Sequence, residues 1–236
     1  MIFSFIMCAG KQSRFNSETP KALMKIKDTT ILQNNIDFSL KYSDKVVIVA
    51  SVDNFNYFEK YKSNNVDVIK IISGFGCGDA VLKALNLYYT AKEDTCFIMW
   101  GDSIQYDKRV FTYSLTKYNN NIIIPVTYEK EPYVQIKHSH LNATKVLFTK
   151  YGDKTYSGWH DLSIFFGNCN ILRSNLERFR RKIYNNGKYI HKHNNEFIFL
   201  DMINEIQGNY KIVPIDDYKD FSFNTIDQYN NLVKVL

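Results

Sequence analysis

The sequence predicts an α/β fold, a single doubly wound and mostly parallel sheet with helices on both faces. The first observation is that short, almost continuously apolar runs, typical of parallel strands buried on both faces, recur along the first half of the chain. The second is that segments with apolar residues at helical spacing separate these runs. Strands that alternate with helices indicate right-handed β-α-β units, and such sheets bind ligands at the carboxyl ends of their strands.

Length, charge and cysteine content narrow the class of protein. The chain has 236 residues, of which 45% are hydrophobic, so it can bury a sizeable core, and we predict a single domain over residues 1–236. Lys and Arg exceed Asp and Glu by 30 to 24, which suits an anionic ligand, but the sequence has no Lys/Arg run of the kind that binds nucleic acid. Four widely spaced cysteines favour buried thiols and a cytoplasmic location over a zinc site or disulfides.

The chain begins with a predicted strand and a loop that suits phosphate. Ile2 to Cys8 form an apolar run, which is too short to cross a membrane, so no membrane insertion is expected. Gly10 then lets backbone amides approach an anion, and Lys11, Arg14 and Lys21 supply three nearby cations. Such a loop suits a triphosphate. The alternative is an ordinary surface turn with scattered lysines.

Helices and strands are expected in turn along the rest of the first half. Helical spacing predicts the helices, and continuous apolar runs predict the strands. The predicted elements are a helix over Thr29 to Tyr42, a strand over Lys45 to Ala50, a helix over Asn54 to Ser63, a strand over Val66 to Ile72, a glycine loop over Gly74 to Gly78, a helix over Asp79 to Thr90 and a strand over Thr95 to Trp100.

The second half is less regular, and its predicted elements are shorter. The same two patterns define them. They are strands over Ile122 to Tyr128, Lys145 to Thr149 and Leu162 to Phe166, helices over Leu176 to Tyr184 and Phe197 to Glu205, a strand over Tyr210 to Ile215 and a closing helix over Thr225 to Val235.

An acidic residue follows the predicted strand that ends at Trp100. Asp102 comes two residues later, which places it at the carboxyl end of that strand. A hard oxygen ligand in this position can hold Mg²⁺, which takes only one or two protein carboxylates and completes its shell with phosphate oxygens and water. The alternative is that Asp102 caps the next helix.

The first loop carries a resemblance to a known family. Ala9-Gly10-Lys11-Gln12-Ser13-Arg14 and Pro20-Lys21-Ala22-Leu23 resemble the A-G-x-G-x-R and P-K-x-L signature of the nucleotidyltransferases that make nucleoside-diphosphate sugars and related activated metabolites. Gln12 replaces the second glycine of that signature. Either the loop bends differently here, or side-chain atoms of Gln12 lie where other members have only backbone and phosphate. A dinucleotide-binding loop fits less well, because G-x-G-x-x-G is absent.

The resemblance implies roles for the first loop and for the glycine loop. Arg14 and Lys21 would be catalytic, and Ala9, Gly10, Lys11, Gln12 and Ser13 would bind the nucleotide. The segment from Gly74 to Ala80 resembles the uridylyltransferase segment L-G-T-G-H-A, whose backbone meets the nucleobase, and this adds Gly76, Gly78 and Asp79 to the nucleotide site. Asp79 stands where that group has His. A flexible loop with Asp79 as a helix cap is the alternative.

The resemblance also implies a metal site and an acceptor site. In the family, the aspartate that corresponds to Asp102 binds the catalytic Mg²⁺, and the stretch around Asn224 resembles the one that supplies the second metal ligand. Asn224 as a helix N-cap is the alternative. Asp161 and Glu196 lie in stretches that resemble those that meet the acceptor. A solvated helix face is the alternative for Glu196.

The function that the resemblance implies is transfer of a nucleoside monophosphate from an NTP to a phosphorylated small molecule. The domain would have a Rossmann-like nucleotidyltransferase sheet with an inserted acceptor-binding lobe. Residues 1–120 would form mainly the nucleotide-binding half, and residues 121–236 mainly the acceptor-binding half. UTP or CTP and a sugar 1-phosphate are favoured. A cytidylyltransferase acting on a phosphocholine-, polyol- or phosphoamino-acid-type acceptor is an alternative, as is a retaining glycosyltransferase or a non-catalytic nucleotide-binding domain. Asp102-Ser103-Ile104 lacks the second aspartate of the glycosyltransferase D-x-D motif.

Overall fold

The structure, a computed structural model, describes residues 1–10, 19–72, 74–88, 90–190, 195–219, 221, 223 and 225–235. Within these ranges ten strands form one sheet, and helices pack on both of its faces. The predicted α/β fold is therefore confirmed. The division of the domain into a nucleotide half and an acceptor half stays a prediction.

The strands are distributed along the whole described chain. They are β1 (Ile2–Met7), β2 (Lys25–Ile26), β3 (Thr29–Thr30), β4 (Lys45–Ser51), β5 (Val66–Ile71), β6 (Thr95–Trp100), β7 (Ile122–Glu129), β8 (Val134–Ser139), β9 (Asn142–Phe148), β10 (Gly158–Asp161), β11 (Ile164–Asn168), β12 (Tyr184–Asn185), β13 (Lys188–Tyr189) and β14 (Tyr210–Pro214).

The helices alternate with these strands in the first half and are less regularly placed in the second. The α-helices are α1 (Ile31–Ser39), α2 (Phe55–Phe58), α3 (Cys77–Leu87), α4 (Lys108–Lys117), α5 (Cys169–Ile183), α6 (Met202–Glu205) and α7 (Ile226–Val235). Short 3₁₀ helices cover Lys21–Leu23, Glu59–Tyr61, Thr149–Tyr151 and Phe199–Asp201.

The large sheet joins a parallel part to a largely antiparallel part. Its strand order is β10-β8-β9-β14-β7-β11-β6-β1-β4-β5. Strands β6, β1, β4 and β5 run parallel to one another, as their apolar sequences predict. Strand β11 pairs antiparallel to β6 and joins this part to β7, which has β14 as a parallel neighbour and β10 as an antiparallel one.

Each face of the sheet is covered by helices that bury their apolar residues against it. Val81 and Leu85 of α3 and Leu176 of α5 belong to the core on one face. Leu32 of α1 and Phe111 of α4 belong to the core on the other. The two cores make the sheet the middle layer of three, which is the doubly wound arrangement.

Several elements differ from their predicted bounds. The predicted helix over Asn54 to Ser63 is a single α-helical turn followed by the 3₁₀ helix Glu59–Tyr61, and the helix predicted over Phe197 to Glu205 begins as the 3₁₀ helix Phe199–Asp201. Strands β8 and β10 and helix α4 were not predicted. Helix α4 has a local signal, because the Asp107 side chain accepts a hydrogen bond from Arg109 N at 2.9 Å and so caps the helix.

The carboxyl ends of β1 and β6 are in close contact. Their register pairs Met7 with Trp100, and the next residue, Gly101, donates from its backbone N to Met7 O at 3.0 Å. A Cβ atom on Gly101 would lie 2.5 Å from Cys8 Sγ, which is too close for any side chain. The absence of a Cβ at Gly101 therefore lets Cys8, just after β1, lie against the start of the loop that carries Asp102.

A buried amide holds the loop after β6 in place. Asn35 of α1 has no exposed surface, and its Nδ2 donates to Ser103 O at 2.7 Å. Its Oδ1 accepts from Gln105 N at 3.2 Å. One side chain thus satisfies two backbone groups of the loop that carries Asp102, and the loop is anchored to α1.

None of the helices in the described ranges is both long enough and apolar enough to cross a membrane.

Replacing Asn35 by alanine should destabilise the fold. Asn35→Ala leaves the buried Ser103 O and Gln105 N without their partner, and each unsatisfied buried group costs about 1–3 kcal/mol. We expect the free energy of unfolding, measured by urea denaturation, to fall by about 2–6 kcal/mol, the sum for the two groups. The exposed Asn119 is the control, because Asn119→Ala should change it by less than about 0.5 kcal/mol. Equal effects for the two variants would contradict the anchoring role of Asn35.

Candidate active site

A cleft of about 440 Å³ opens at the carboxyl end of β6. The first half of the chain contributes Asp102 and Ser103 to its lining, and the second half contributes Lys150, Asp161 and Glu196. The cleft thus brings together the residue predicted to bind metal and the two residues predicted to meet the acceptor, although they are far apart in sequence. What these residues bind stays a prediction.

Lys21 pairs with Asp102, a residue of the cleft lining, as a largely buried cation. Pro20 precedes it in extended conformation (φ −54°, ψ 134°), and Lys21 begins the 3₁₀ helix Lys21–Leu23. Its Nζ lies 3.6 Å from Asp102 Oδ2 and donates to Phe223 O at 3.3 Å. The Lys21 side chain is only 9% exposed, whereas that of Asp102 is 46% exposed. The lysine therefore approaches Asp102 from the interior, while the carboxylate remains open to the cleft.

The first loop is described only in part. Ala9 is buried at the end of β1, and Gly10 is exposed, with no atom within 4 Å of the position that a Cβ would take. The remaining predicted loop residues, Lys11, Gln12, Ser13 and Arg14, lie outside the described residues, and so does Asn224.

The exposed carboxylate of Asp102 suits a small, hard cation. Magnesium needs only one or two protein carboxylates when phosphate oxygens and water fill its other positions. Asp102 supplies one exposed carboxylate at the strand end. No group of three His, Cys, Asp or Glu side chains that could hold a metal ion occurs within the described part of the chain. The described residues therefore fit a metal held jointly with substrate phosphates better than a metal held by the protein alone.

The glycine loop packs tightly against the segment around Phe197. Gly78 N donates to Phe197 O at 2.8 Å, and Phe197 N donates to Phe75 O at 2.8 Å. Gly76 has φ +100°, and a Cβ on it would lie 2.4 Å from Phe197 O. A Cβ on Gly78 would lie 2.8 Å from the Phe197 ring. We call this contact between residues 75–78 and Phe197 the Phe197 clasp.

The clasp accounts for both glycines through backbone packing. Their predicted contact with the nucleobase stays a prediction. Because Glu196 lies next to Phe197 in sequence, the clasp also joins the glycine loop to the wall of the cleft that carries Glu196.

Asp79 is held by two side chains within the fold. It is 5% exposed, its Oδ1 accepts from Tyr189 Oη at 2.6 Å, and its Oδ2 lies 2.6 Å from Lys83 Nζ. Burial and the bond to Asp79 raise the pKa of Tyr189, so the phenol stays a donor. Asp79 does not cap α3, since the N-cap residue of that helix is Gly76. Its predicted contact with the nucleotide stays a prediction.

Asp161 occupies the end of β10 on the wall of the cleft. It is 5% exposed, and its Oδ1 accepts from Ser163 N at 3.0 Å across a turn in which Ser163 has φ +61°. Ser163 O in turn accepts from Trp100 N at 3.1 Å. The turn that follows β10 is therefore hydrogen-bonded to the end of β6, and the Asp161 carboxyl lines the same cleft as Asp102.

Glu196 belongs to a bonded group of three side chains. Tyr151 Oη donates to Glu196 Oε2 at 3.1 Å, and Lys150 Nζ donates to Tyr151 Oη at 3.1 Å. Lys150 Nζ also lies 3.7 Å from Glu196 Oε2. Burial, together with the nearby Glu196 carboxylate, raises the pKa of Tyr151, which keeps its proton for this bond. We call these residues the Lys150–Tyr151–Glu196 trio.

Lys150 and Tyr151 were not predicted as site residues. They form a 3₁₀ turn at the end of β9, and their partner Glu196 lies 45 residues beyond Tyr151. The aromatic residues Trp100 and Tyr133 and the half-buried His160, which also line the cleft, were missed in the same way. Gly152, with φ +87°, marks the turn in the sequence, but no local pattern indicates what the turn contacts.

A glycine substitution tests the Phe197 clasp. Gly76→Ala should lower the free energy of unfolding by about 2–5 kcal/mol, because strain of about 1–2 kcal/mol at positive φ adds to a collision with Phe197 O that costs about 1–3 kcal/mol. Gly187→Ala is the matched control, since Gly187 has φ +80° but open space around its Cβ position. The control should lose only the strain of about 1–2 kcal/mol. Equal losses in urea denaturation would contradict the clasp.

Comparison with known proteins identifies proteins with similar sequences. No family model matches the chain. The bifunctional protein GlmU of Buchnera aphidicola subsp. Baizongia pistaciae is 26% identical over 236 residues, which cover 98% of this chain and 50% of that protein. The 2-C-methyl-D-erythritol 4-phosphate cytidylyltransferase of Vibrio atlanticus is 31% identical over 87 residues, which cover 36% of this chain and 37% of that one. The chain thus spans half or less of the length of these relatives.

Solved structures share the fold over nearly the whole chain. The CTP:phosphocholine cytidylyltransferase LicC of Streptococcus pneumoniae superposes with a TM-score of 0.74 at 10% identity, over 99% of this chain and 98% of that one. The inositol-1-phosphate CTP transferase of T. maritima gives 0.74 at 12% identity, over 98% and 94%. The chain is therefore similar in sequence to parts of these nucleotidyltransferases, and it shares its fold with two CTP-using transferases.

Proposed function

We propose that the chain is a nucleotidylyltransferase that transfers a nucleoside monophosphate from an NTP to a phosphorylated small molecule. An acceptor phosphate oxygen attacks the α-phosphorus and forms a new P–O bond, while the bond to the β-phosphate oxygen breaks and pyrophosphate leaves. The observation that carries the proposal is that Asp102, which pairs with Lys21, lines the same cleft as Asp161 and Glu196.

The nucleotide is proposed to lie between the first loop and the glycine loop. Gly10 leaves its backbone open at the end of β1, and Lys11 and Arg14 follow it in sequence. These cations would neutralise the triphosphate, while Gly76, Gly78 and Asp79 would be near the base. UTP or CTP is favoured, and the names of two of the structural neighbours, both CTP-using transferases, support CTP.

Magnesium is the proposed cofactor. Asp102 would hold it, with Asn224 as the second ligand that the sequence predicts, because the exposed carboxylate at the strand end is the hard donor that Mg²⁺ prefers. When bound, Mg²⁺ would supply positive charge to the phosphate chain. Lys21 pairs with Asp102 from the buried side, and we propose that its ammonium stabilises the charge that develops at the α-phosphate.

The reaction does not require a strong general base. A phosphate monoester is already largely a dianion near neutral pH, so alignment and charge neutralisation account for most of the catalysis. Asp161 and Glu196 would orient the acceptor, and a sugar 1-phosphate is the favoured acceptor. A phosphocholine-, polyol- or phosphoamino-acid-type acceptor is the alternative. The four free thiols, which are buried or half-buried, suit the cytoplasmic location that we propose.

Pyrophosphate release tests the proposed function directly. UTP, CTP, ATP and GTP would each be combined with glucose 1-phosphate, phosphocholine, glycerol 3-phosphate and methylerythritol 4-phosphate in the presence of Mg²⁺. We expect release that requires both an NTP and an acceptor. Transfer of sugar from a nucleotide sugar without pyrophosphate release would instead indicate a glycosyltransferase, and binding without release would indicate a nucleotide-binding domain.

Removing the carboxylate of Asp102 should abolish turnover and preserve the fold. We expect Asp102→Ala to lower kcat by about 10³ or more, since it removes the proposed metal ligand and the partner of Lys21. Asp53→Ala, at an exposed site outside the cleft, is the control and should retain the wild-type rate. Mg²⁺-dependent turnover by the Asp102 variant at a near wild-type rate would remove Asp102 from the site.

Replacing Lys21 should show whether this residue contributes to the chemical step or to nucleotide binding. If Lys21 acts on charge that develops in the transition state, Lys21→Ala should lower kcat and kcat/KM together by about 10²–10³ and change the nucleotide Kd little. The exposed Lys25 is the control, because Lys25→Ala should leave both constants unchanged. Steady-state kinetics with an NTP titration decides the matter. An unchanged kcat with only a raised KM would make Lys21 a binding residue.

A further inference from the structure

The Lys150–Tyr151–Glu196 trio contains a site of the kind that holds an organic cation. An aromatic face beside a carboxylate attracts ammonium groups, because the ring quadrupole and the negative charge act together. The Lys150 ammonium lies 4.8 Å from the centroid of the Tyr151 ring and 3.7 Å from Glu196 Oε2. The chain's own ammonium group therefore occupies this position in the cleft.

The balance of charge in the cleft depends on the Lys150 ammonium at this position. Its lining carries the carboxylates of Asp102, Asp161 and Glu196 and, among the residues described there, the lysine Lys150. Lys21 stands beside Asp102, and Lys150 stands beside Glu196. Without the Lys150 ammonium, the wall formed by Asp161, Glu196 and the Tyr151 ring would attract a cation. With it, the Glu196 charge is offset.

The trio then presents donors and acceptors suited to hydroxyl groups. The Lys150 ammonium donates, the Glu196 carboxylate accepts, and the Tyr151 hydroxyl connects them. The side chains of Lys150 and Glu196 are 31% and 43% exposed, so both are open to a ligand in the cleft. A ligand with adjacent hydroxyls can bond to both, whereas a ligand with an ammonium group must displace Lys150 or approach it against charge repulsion.

We propose that Lys150 determines the class of acceptor by filling the cation position, so that the acceptor presents an uncharged, hydroxylated group to the trio, as a sugar phosphate or a polyol phosphate does. This inference rests on the proposed function and deepens it. Lys150 acts here as a specificity residue, through the position that its ammonium takes between the Tyr151 ring and Glu196.

The test compares acceptors in the wild-type protein and in Lys150→Met. Glucose 1-phosphate, glycerol 3-phosphate and phosphocholine serve as probes, with Kd from titration calorimetry in the presence of Mg²⁺ and kcat/KM from pyrophosphate release with CTP and UTP. The wild type should favour a hydroxylated probe over phosphocholine. Lys150→Met empties the cation position, and the preference should shift towards phosphocholine by tenfold or more, about 1.4 kcal/mol.

Matched variants distinguish the loss of the Lys150 charge from a general disruption of the fold. Lys150→Arg keeps a cation over the ring and should keep the wild-type preference to within about threefold, less than about 0.7 kcal/mol. Lys145→Met removes an exposed lysine of β9 that does not line the cleft and should behave as the wild type. Lys150→Gln provides a second uncharged variant if the methionine variant unfolds, and thermal melts monitored by circular dichroism identify the folded proteins.

Two results would overturn the inference. One is a folded Lys150→Met or Lys150→Gln protein whose preference between phosphocholine and the hydroxylated probes equals that of the wild type. The other is a wild-type protein that already favours phosphocholine. Failure of the proposed function would look different, because no NTP would then release pyrophosphate with any acceptor, while calorimetry would still report the binding preference.

Discussion

The close approach of strands β1 and β6 at their carboxyl ends determines where the cleft can form. Gly101 N donates to Met7 O, and the space that a side chain on Gly101 would need is already filled by Cys8 Sγ. This contact brings Met7 and Cys8 beside the loop that carries Asp102. Asn35 then secures the second loop from α1. A wider separation would move Asp102 away from the end of β1.

The parallel part of the fold could be predicted because its strands are buried on both faces. Runs such as Lys45 to Ala50 are apolar at nearly every position, and they are distinct from the helices between them. The antiparallel strands of the second half have no such signal. Strand β8 buries its first three residues and exposes its last three, and β10 has only four residues. Their pairing depends on β7, β9 and one another, which no local pattern specifies.

From the pattern of residues alone, a place in the candidate site was predictable only where it follows from one element, whereas Asp161 and Glu196 were expected from the family resemblance. Asp102 lies at a strand end, and this rule leads to the cleft. Lys150 and Tyr151 meet Glu196 only through the tertiary fold, so their spacing in sequence gives no sign of the contact. Gly76 and Gly78 show a different limit of sequence-based prediction. A glycine indicates that something packs closely against the backbone, but a nucleobase and the Phe197 segment both require the absence of a side chain.

The Phe197 clasp has a consequence for the exchange of segments between proteins of this fold. The glycine loop and the chain around Phe197 are joined by two backbone hydrogen bonds, and their surfaces approach so closely that neither accommodates added atoms. A glycine loop transplanted alone into this scaffold would meet a partner shaped for another sequence. The smallest transferable module is therefore the pair of segments, residues 74–79 and 196–199, moved together although more than a hundred residues of chain separate them.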